Sequence, residues 1–76
     1  MKLELALCQV KVELLSATEK FGAFRSPHEG LAIIREEYKE LEREVFGQFD
    51  ERSVTKMHKE ARHLAAMALR FMVDLT

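Results

Sequence analysis

The sequence predicts an all-α fold: a three-helix antiparallel chain that assembles into a helical bundle as a dimer or tetramer. Three observations predict it. Apolar residues recur at alternating steps of three and four along three separate stretches, the period of one helix face. Helix-boundary residues, chiefly Gly22, Ser26-Pro27 and Gly47, divide those stretches. Only 3 glycines and 1 proline occur in 76 residues, so little of the chain is left for turns. A chain of this length forms one domain, residues 1–76, with a modest core.

In the first stretch Leu3, Leu7, Val10, Leu14, Ala17 and Phe21 form a heptad-like seam. Leu3, Leu5 and Leu7, and then Val10, Val12 and Leu14, also alternate as a strand would. That alternation breaks phase at Cys8-Gln9, and no turn residue interrupts the segment, so helix is preferred. Gly22 suits its C-terminal cap. The second helix starts at a capping box: Ser26 as N-cap, Pro27 in the first turn and Glu29 reaching back. Its seam is Leu31, Ile34, Tyr38, Leu41 and Val45, and Gly47 ends it. Gly30 lies in its first turn, either to admit another backbone closely or as a tolerated small residue. The third helix is capped by Asp50 or Ser53, and its seam runs Val54, Met57, Ala61, Leu64, Ala68, Phe71, Leu75. Beyond Leu64 it is apolar on most sides, through Ala65, Ala66, Met67, Leu69, Met72 and Val73. Three short helices bury such a helix poorly, which points to a second copy of the chain.

Twelve basic residues face 13 acidic ones, a formal net charge of -1. No basic excess exists to neutralise a phosphate backbone, so nucleic acid is excluded as the expected partner. No segment has the apolar length of a membrane span, and no membrane partner is expected. Glu4, Lys11 and Glu13 interrupt the apolar start, against a signal peptide. The single cysteine, Cys8, cannot form an internal disulfide and reads as a small core filler in a reducing compartment. The expected location is cytoplasmic.

The chemistry-bearing feature is Glu36-Glu37-Tyr38-Lys39-Glu40. Like charges at i,i+4 destabilise a helix by roughly 0.2–0.5 kcal/mol per pair, so such a cluster is either balanced by bases or used to hold a cation. Arg35, Lys39 and Arg43 supply bases, and on pattern alone a solvated, ion-paired face is the commoner explanation. Glu37, however, follows Ile34 by three residues and precedes Leu41 by four, at the edge of the apolar seam. Glu60 flanks an apolar face of the third helix in the same way. If the two helices pack antiparallel, their acidic edges converge at a half-buried place. Carboxylates converging in a partly dry site must be paired, protonated or bound to metal. Hard oxygen ligands select Mg²⁺ or Mn²⁺ and lead to metal-assisted phosphoryl chemistry.

The run His28-Glu29-Gly30-Leu31-Ala32-Ile33-Ile34-Arg35-Glu36-Glu37-Tyr38-Lys39-Glu40-Leu41 resembles the first motif of the MazG-like nucleotide pyrophosphohydrolases. That superfamily includes phosphoribosyl-ATP pyrophosphohydrolase and the all-α dUTPases, with a pattern E-E-x-x-E followed after a variable gap by E-x-x-D. Glu36, Glu37 and Glu40 match the first part, and the Glu60–Ala68 run is similar to the second metal-binding helix. The resemblance implies an all-α homodimer or homotetramer with Mg²⁺, or Mn²⁺, on Glu36, Glu37, Glu40 and Glu60. It implies hydrolysis of a nucleoside triphosphate to monophosphate and pyrophosphate, with Glu37 and Glu40 in the catalytic role of orienting water.

The family's final Asp falls at His63. Imidazole suits Zn²⁺ or Mn²⁺ better than Mg²⁺. The next acid, Asp74, is eleven residues on, about 16 Å along the axis, too far to serve the same site. Either His63 substitutes as a metal ligand, or the remaining carboxylates suffice, or catalysis is weakened or lost. A lone helical histidine is more often a surface or packing residue than a ligand. Lys56 and Lys59 are the candidate phosphate contacts, with Lys20 and Arg62 beside them, although a solvated side chain is the commoner fate of each. Phe21, Phe24, Phe46 and Phe49 could stack on a base, although packing is the commoner fate of phenylalanine. The alternative function is a non-catalytic oligomerisation or nucleotide-binding module on the same fold.

Overall fold

Leu3–Phe21 (α1), Pro27–Phe46 (α2) and Ser53–Leu75 (α3) are the three helices of a computed structural model that describes residues 1–76 and contains no strand. The α1 helix closes on Gly22, which takes φ 72° and donates its N–H to the Thr18 carbonyl. A positive φ of this size suits glycine, which has no Cβ to clash. At the start of α2 the Ser26 hydroxyl accepts from the Glu29 N–H at 3.1 Å. The Glu29 carboxylate reaches one residue further back than a capping box requires, accepting from the Arg25 N–H at 3.1 Å and from Arg25 Nε at 3.3 Å. The N-cap of α3 is Arg52, with no side-chain cap bond, so Asp50 and Ser53 do not cap the helix and instead tie the turn before it. Asp50 Oδ1 accepts from the Arg52 N–H, and the Asp50 N–H donates to Ser53 Oγ, each at 2.7 Å.

Consecutive helices reverse direction, so α1 and α3 run parallel. The α3 helix is the centre: α1 packs against it and α2 packs against it, while α1 and α2 do not pack on each other. Glu13 lies beside Arg62 and His63, and Gly22 beside Arg70. Gly30 lies against Phe71. The last contact explains that glycine. A Cβ there would stand 2.7 Å from Phe71 Cδ2 and 3.2 Å from Phe24 Cδ2, so two aromatic side chains, not another backbone, approach it.

The core is thin. Ala17, Phe24, Ala66 and Met67 are its buried apolar residues, flanked by Val10, Leu14, Ile33, Ile34, Phe71 and Leu75. Its C-terminal end is tied by two buried polar side chains of α3. Arg70 donates to the Gly22 carbonyl and lies over the Phe24 ring, and Asp74 Oδ2 accepts from the Phe24 N–H at 2.9 Å. The short 22–26 turn is thereby fixed to a helix some fifty residues away.

Parts of the apolar seams point outward. On α2, Leu31, Tyr38 and Val45 are 53%, 53% and 48% exposed, and the face turned to α3 instead carries Gly30, Ile33, Ile34, Glu37 and Glu40. On α1, Leu3, Leu7 and Phe21 are exposed, and so are Val54 and Ala68 on α3. Cys8 is exposed rather than a core filler. The α1 helix meets α3 through Val10, Leu14 and Ala17, and two residues of helix place Cys8 about 200° round from Val10. No helix is long and apolar enough to cross a membrane.

Candidate metal centre

Antiparallel packing of α2 on α3 brings Glu37 and Glu40 opposite Glu60 and His63. One ligand atom from each of these four side chains lies within 4.8 Å of the others. Glu37 and Glu40 share a face at i,i+3, as do Glu60 and His63, so each helix supplies two groups without distortion. All four side chains are half-buried. His63 Nδ1 stands 3.8 Å from Glu37 Oε2 and 3.7 Å from Glu60 Oε2. Those same two oxygens are shielded from solvent and lack any hydrogen-bond partner. Carboxylate oxygens shielded from solvent with no protein donor are costly, which makes them the strongest local reason to expect a cation there.

The electrostatics agree. Burial raises the Glu37 carboxyl to about 7, helped by the charges of Glu40, Glu60 and Glu36. Burial and the neighbouring Glu40 raise Glu60 as well, against the lowering influence of His63 and Lys59. The bases of α2 leave these acids unpaired: no ion pair within 4.0 Å joins Glu36 or Glu40 to Lys39 or Arg43. The i,i+3 pairs that pattern alone favoured do not form, while Glu36 does lie on a solvated face. Three carboxylates and one imidazole are a donor set that fits a divalent cation.

Glu36 is exposed and outside this set, at the wall of an adjoining cleft. The cleft, about 540 Å³, runs between α1 and α2 over α3. Glu13, Glu36, Glu37 and His63 line its acidic end, and Ala17, Phe24, Ile33 and Met67 its apolar part. Its cations are Arg25 and Arg70, whereas Lys56 and Lys59 are exposed on α3 and do not line it. Among the phenylalanines, Phe24 is core, Phe21 edges the cleft, and Phe46 and Phe49 are exposed away from it.

Three participants escaped the sequence reading. Glu13 of α1 reaches Arg62 Nε at 3.3 Å and His63 Nε2 at 3.4 Å. Its position one residue before Leu14 of the α1 seam was the available signal. Arg70 and Asp74, at i,i+4 within an apolar stretch, were the other two. Charged residues embedded in such a stretch are rarely idle, since burial requires a partner.

Fold and site together describe a small all-helical protein with a candidate carboxylate–histidine metal centre beside a cleft. No family model matches the chain, and no curated protein or solved structure compared with it does so either.

Proposed function

We propose that the chain is a metal-dependent nucleoside triphosphate pyrophosphohydrolase, releasing pyrophosphate and the nucleoside monophosphate. The observation that carries this reading is the convergence of Glu37, Glu40 and Glu60 from two helices, with two oxygens lacking partners, at one end of a cleft. The likeness of the two helical motifs to the MazG-like pattern supplies the reaction class. Glu37, Glu40, Glu60 and His63 would hold Mg²⁺ or Mn²⁺, with Glu36 outside the set at the cleft wall. When bound, the cation would neutralise triphosphate charge and acidify a water.

The chain's own groups do the rest. Glu37 has two carboxylate oxygens, so with one on the cation the other can accept a proton from water. Glu40, beside both Glu37 and Glu60, orients that water. The apolar part of the cleft, over Ala17, Ile33 and Met67, excludes solvent and takes the nucleoside end of the substrate.

A second copy of the chain belongs to this reading. The accessible surface is 5904 Å². A compact monomer of 8.8 kDa exposes about 4,800 Å². The excess, about 1,100 Å², is comparable with the roughly 800 Å² that each partner buries in a standard interface. Leu31, Tyr38 and Val45, seven residues apart and exposed, are the stripe on which a second α2 would pair. Tyr38→Glu should convert a dimer to a monomer in light scattering.

The activity test is pyrophosphate release from a panel of nucleoside triphosphates with Mg²⁺ or Mn²⁺. Wild type should release it, and Glu37→Ala and Glu40→Ala should not. Release unaffected by both substitutions, or no release from any nucleotide, overturns the pyrophosphohydrolase. Metal binding without turnover returns the chain to a non-catalytic binding module.

A further inference from the structure

We propose that Glu13 is a positioning residue for His63, and that it commits the Nδ1 lone pair of His63 to the cation site, making that site selective for Mn²⁺ or Zn²⁺ over Mg²⁺. The inference rests on the metal centre proposed above and concerns which ion it prefers. Glu13 comes from α1, a helix that supplies no member of the four-residue ligand set. Its Oε1 faces Arg62 Nε at 3.3 Å and His63 Nε2 at 3.4 Å, and its side chain is 27% exposed. Arg62 and His63 approach the same oxygen, so Arg62 holds Glu13 Oε1 beside the edge of the imidazole.

A neutral imidazole carries one N–H, and the hydrogen bond made by one nitrogen decides what the other can do. The nearest acceptor around His63 is Glu13, on the Nε2 side. The oxygens on the Nδ1 side stand further off, at 3.7 and 3.8 Å. All three separations exceed a hydrogen bond; the Nε2 contact needs the least closure to become one, and the two Nδ1 separations remain the longer. They are close to the spacing of neighbouring ligands around one ion: atoms about 2.1 Å from a tetrahedral metal lie roughly 3.4 Å apart. Glu13, His63 and the ion then form a carboxylate–histidine–metal chain, an arrangement whose outer carboxylate typically contributes 10–100-fold to metal affinity. One nitrogen among three carboxylates shifts preference away from Mg²⁺, a hard ion that favours an all-oxygen shell, toward metals that accept imidazole.

The test combines metal titration with ¹⁵N spectroscopy of His63, both independent of turnover. Mn²⁺ affinity, read by electron paramagnetic resonance with Mg²⁺ as competitor, should fall about 10–100-fold in Glu13→Ala and recover in part in Glu13→Gln, whose amide oxygen still accepts. Mg²⁺ affinity should hardly change, and His63→Ala should erase the preference for Mn²⁺. In the Zn²⁺-loaded wild type, ¹⁵N shifts should identify Nδ1 as the bound nitrogen and Nε2 as the protonated one. Equal affinity of wild type for Mg²⁺ and Mn²⁺, equal losses of both ions in Glu13→Ala, or Zn²⁺ on Nε2 overturns the proposal while leaving the metal centre standing. If no divalent ion binds, the centre itself falls and this inference with it. Should Glu13→Ala lose its helical circular dichroism, the wild-type ¹⁵N spectrum decides alone.

Discussion

The guanidinium carbon of Arg70 lies 4.2 Å from the centroid of the Phe24 ring, and the Arg70 side chain is only 4% exposed. A nearly dry cation is tolerable because most of it is matched, although its Nε has no hydrogen-bond partner. The ring supplies its negative quadrupole, Gly22 its carbonyl, and Asp74 a carboxylate 3.9 Å from Nε. Removing the cation leaves Asp74 with its charge unmatched. Arg70→Ala should therefore destabilise the fold by about 3 kcal/mol or more. A chain of 76 residues has about 4–11 kcal/mol in total, so the variant should sit near the edge of folding. Arg70→Lys keeps the charge but not the planar fork, and should lose less. Urea midpoints order the three proteins, and an Arg70→Ala midpoint equal to wild type refutes the clamp.

Gly30→Ala pits two effects against each other. Alanine in a helix gains about 1 kcal/mol over glycine. Its Cβ, however, would stand 2.7 Å from the Phe71 ring, and overpacking of this kind costs about 1–3 kcal/mol. The net expectation is destabilisation by about 1 kcal/mol. A more stable Gly30→Ala protein would mean that Phe71 moves aside freely.

Stability in the absence of divalent ions should fall as pH rises from about 4.5 to about 7. Within that window the folded protein retains a proton on Glu37 that the unfolded chain has already released, because burial raises the carboxyl to about 7 from an ordinary 4.5. The unfolded state then binds fewer protons, and the unfolding free energy declines with pH. Glu60, also raised, acts in the same direction. Denaturation in a chelator at pH 5 and pH 8 measures the slope, and Glu37→Gln should flatten it.

Divalent ions should reverse that loss at high pH. An ion at about 100 times its dissociation constant adds about 2.7 kcal/mol, which for a domain this size is a melting shift of roughly 10–20 °C. Glu40→Ala and Glu60→Ala should abolish the shift produced by Mn²⁺. Glu36→Ala should keep most of it, since Glu36 is exposed and outside the converging set. A Glu36→Ala loss as large as that of Glu40→Ala would relocate the site toward the cleft wall.

The helices and their ends were legible in the sequence because their causes are local. Ser26, Pro27, Gly22 and Gly47 act on their own backbone. The convergence of Glu37 and Glu40 on Glu60 was legible only on the condition that α2 and α3 pack antiparallel, and Glu36, grouped with them in the sequence, lies outside it. Which side of each seam turns inward was not. Leu31, Tyr38 and Val45 fit the period as well as Ile33 and Ile34 do, and only the docking of Gly30 under Phe71 chooses between them.

What surrounds His63, a ligand candidate in the sequence, was hidden for a related reason. Its neighbours come from three helices, and the contribution of α1 through Glu13 depends on α1 packing on α3 rather than on the helix next to it in sequence. Arg70 and Asp74 were obscured by the opposite prejudice: charged residues in an apolar helix invite a surface assignment, whereas here they fasten a distant turn.

Because both outer helices lean only on α3, nothing in this molecule can be completed early. Phe24 and Asp74 are bonded across 50 positions of sequence, and Gly22 and Arg70 across 48. A chain emerging from the ribosome at roughly 5–20 residues per second spends about 1–6 s with the α1 and α2 segments released and α3 still to come. Ordinary helical bundles fold fast because their contacts are local, and this one gives up part of that advantage. Its assembly should be gated by the arrival of the last helix, with the exposed stripes of α1 and α2 available to chaperones until then.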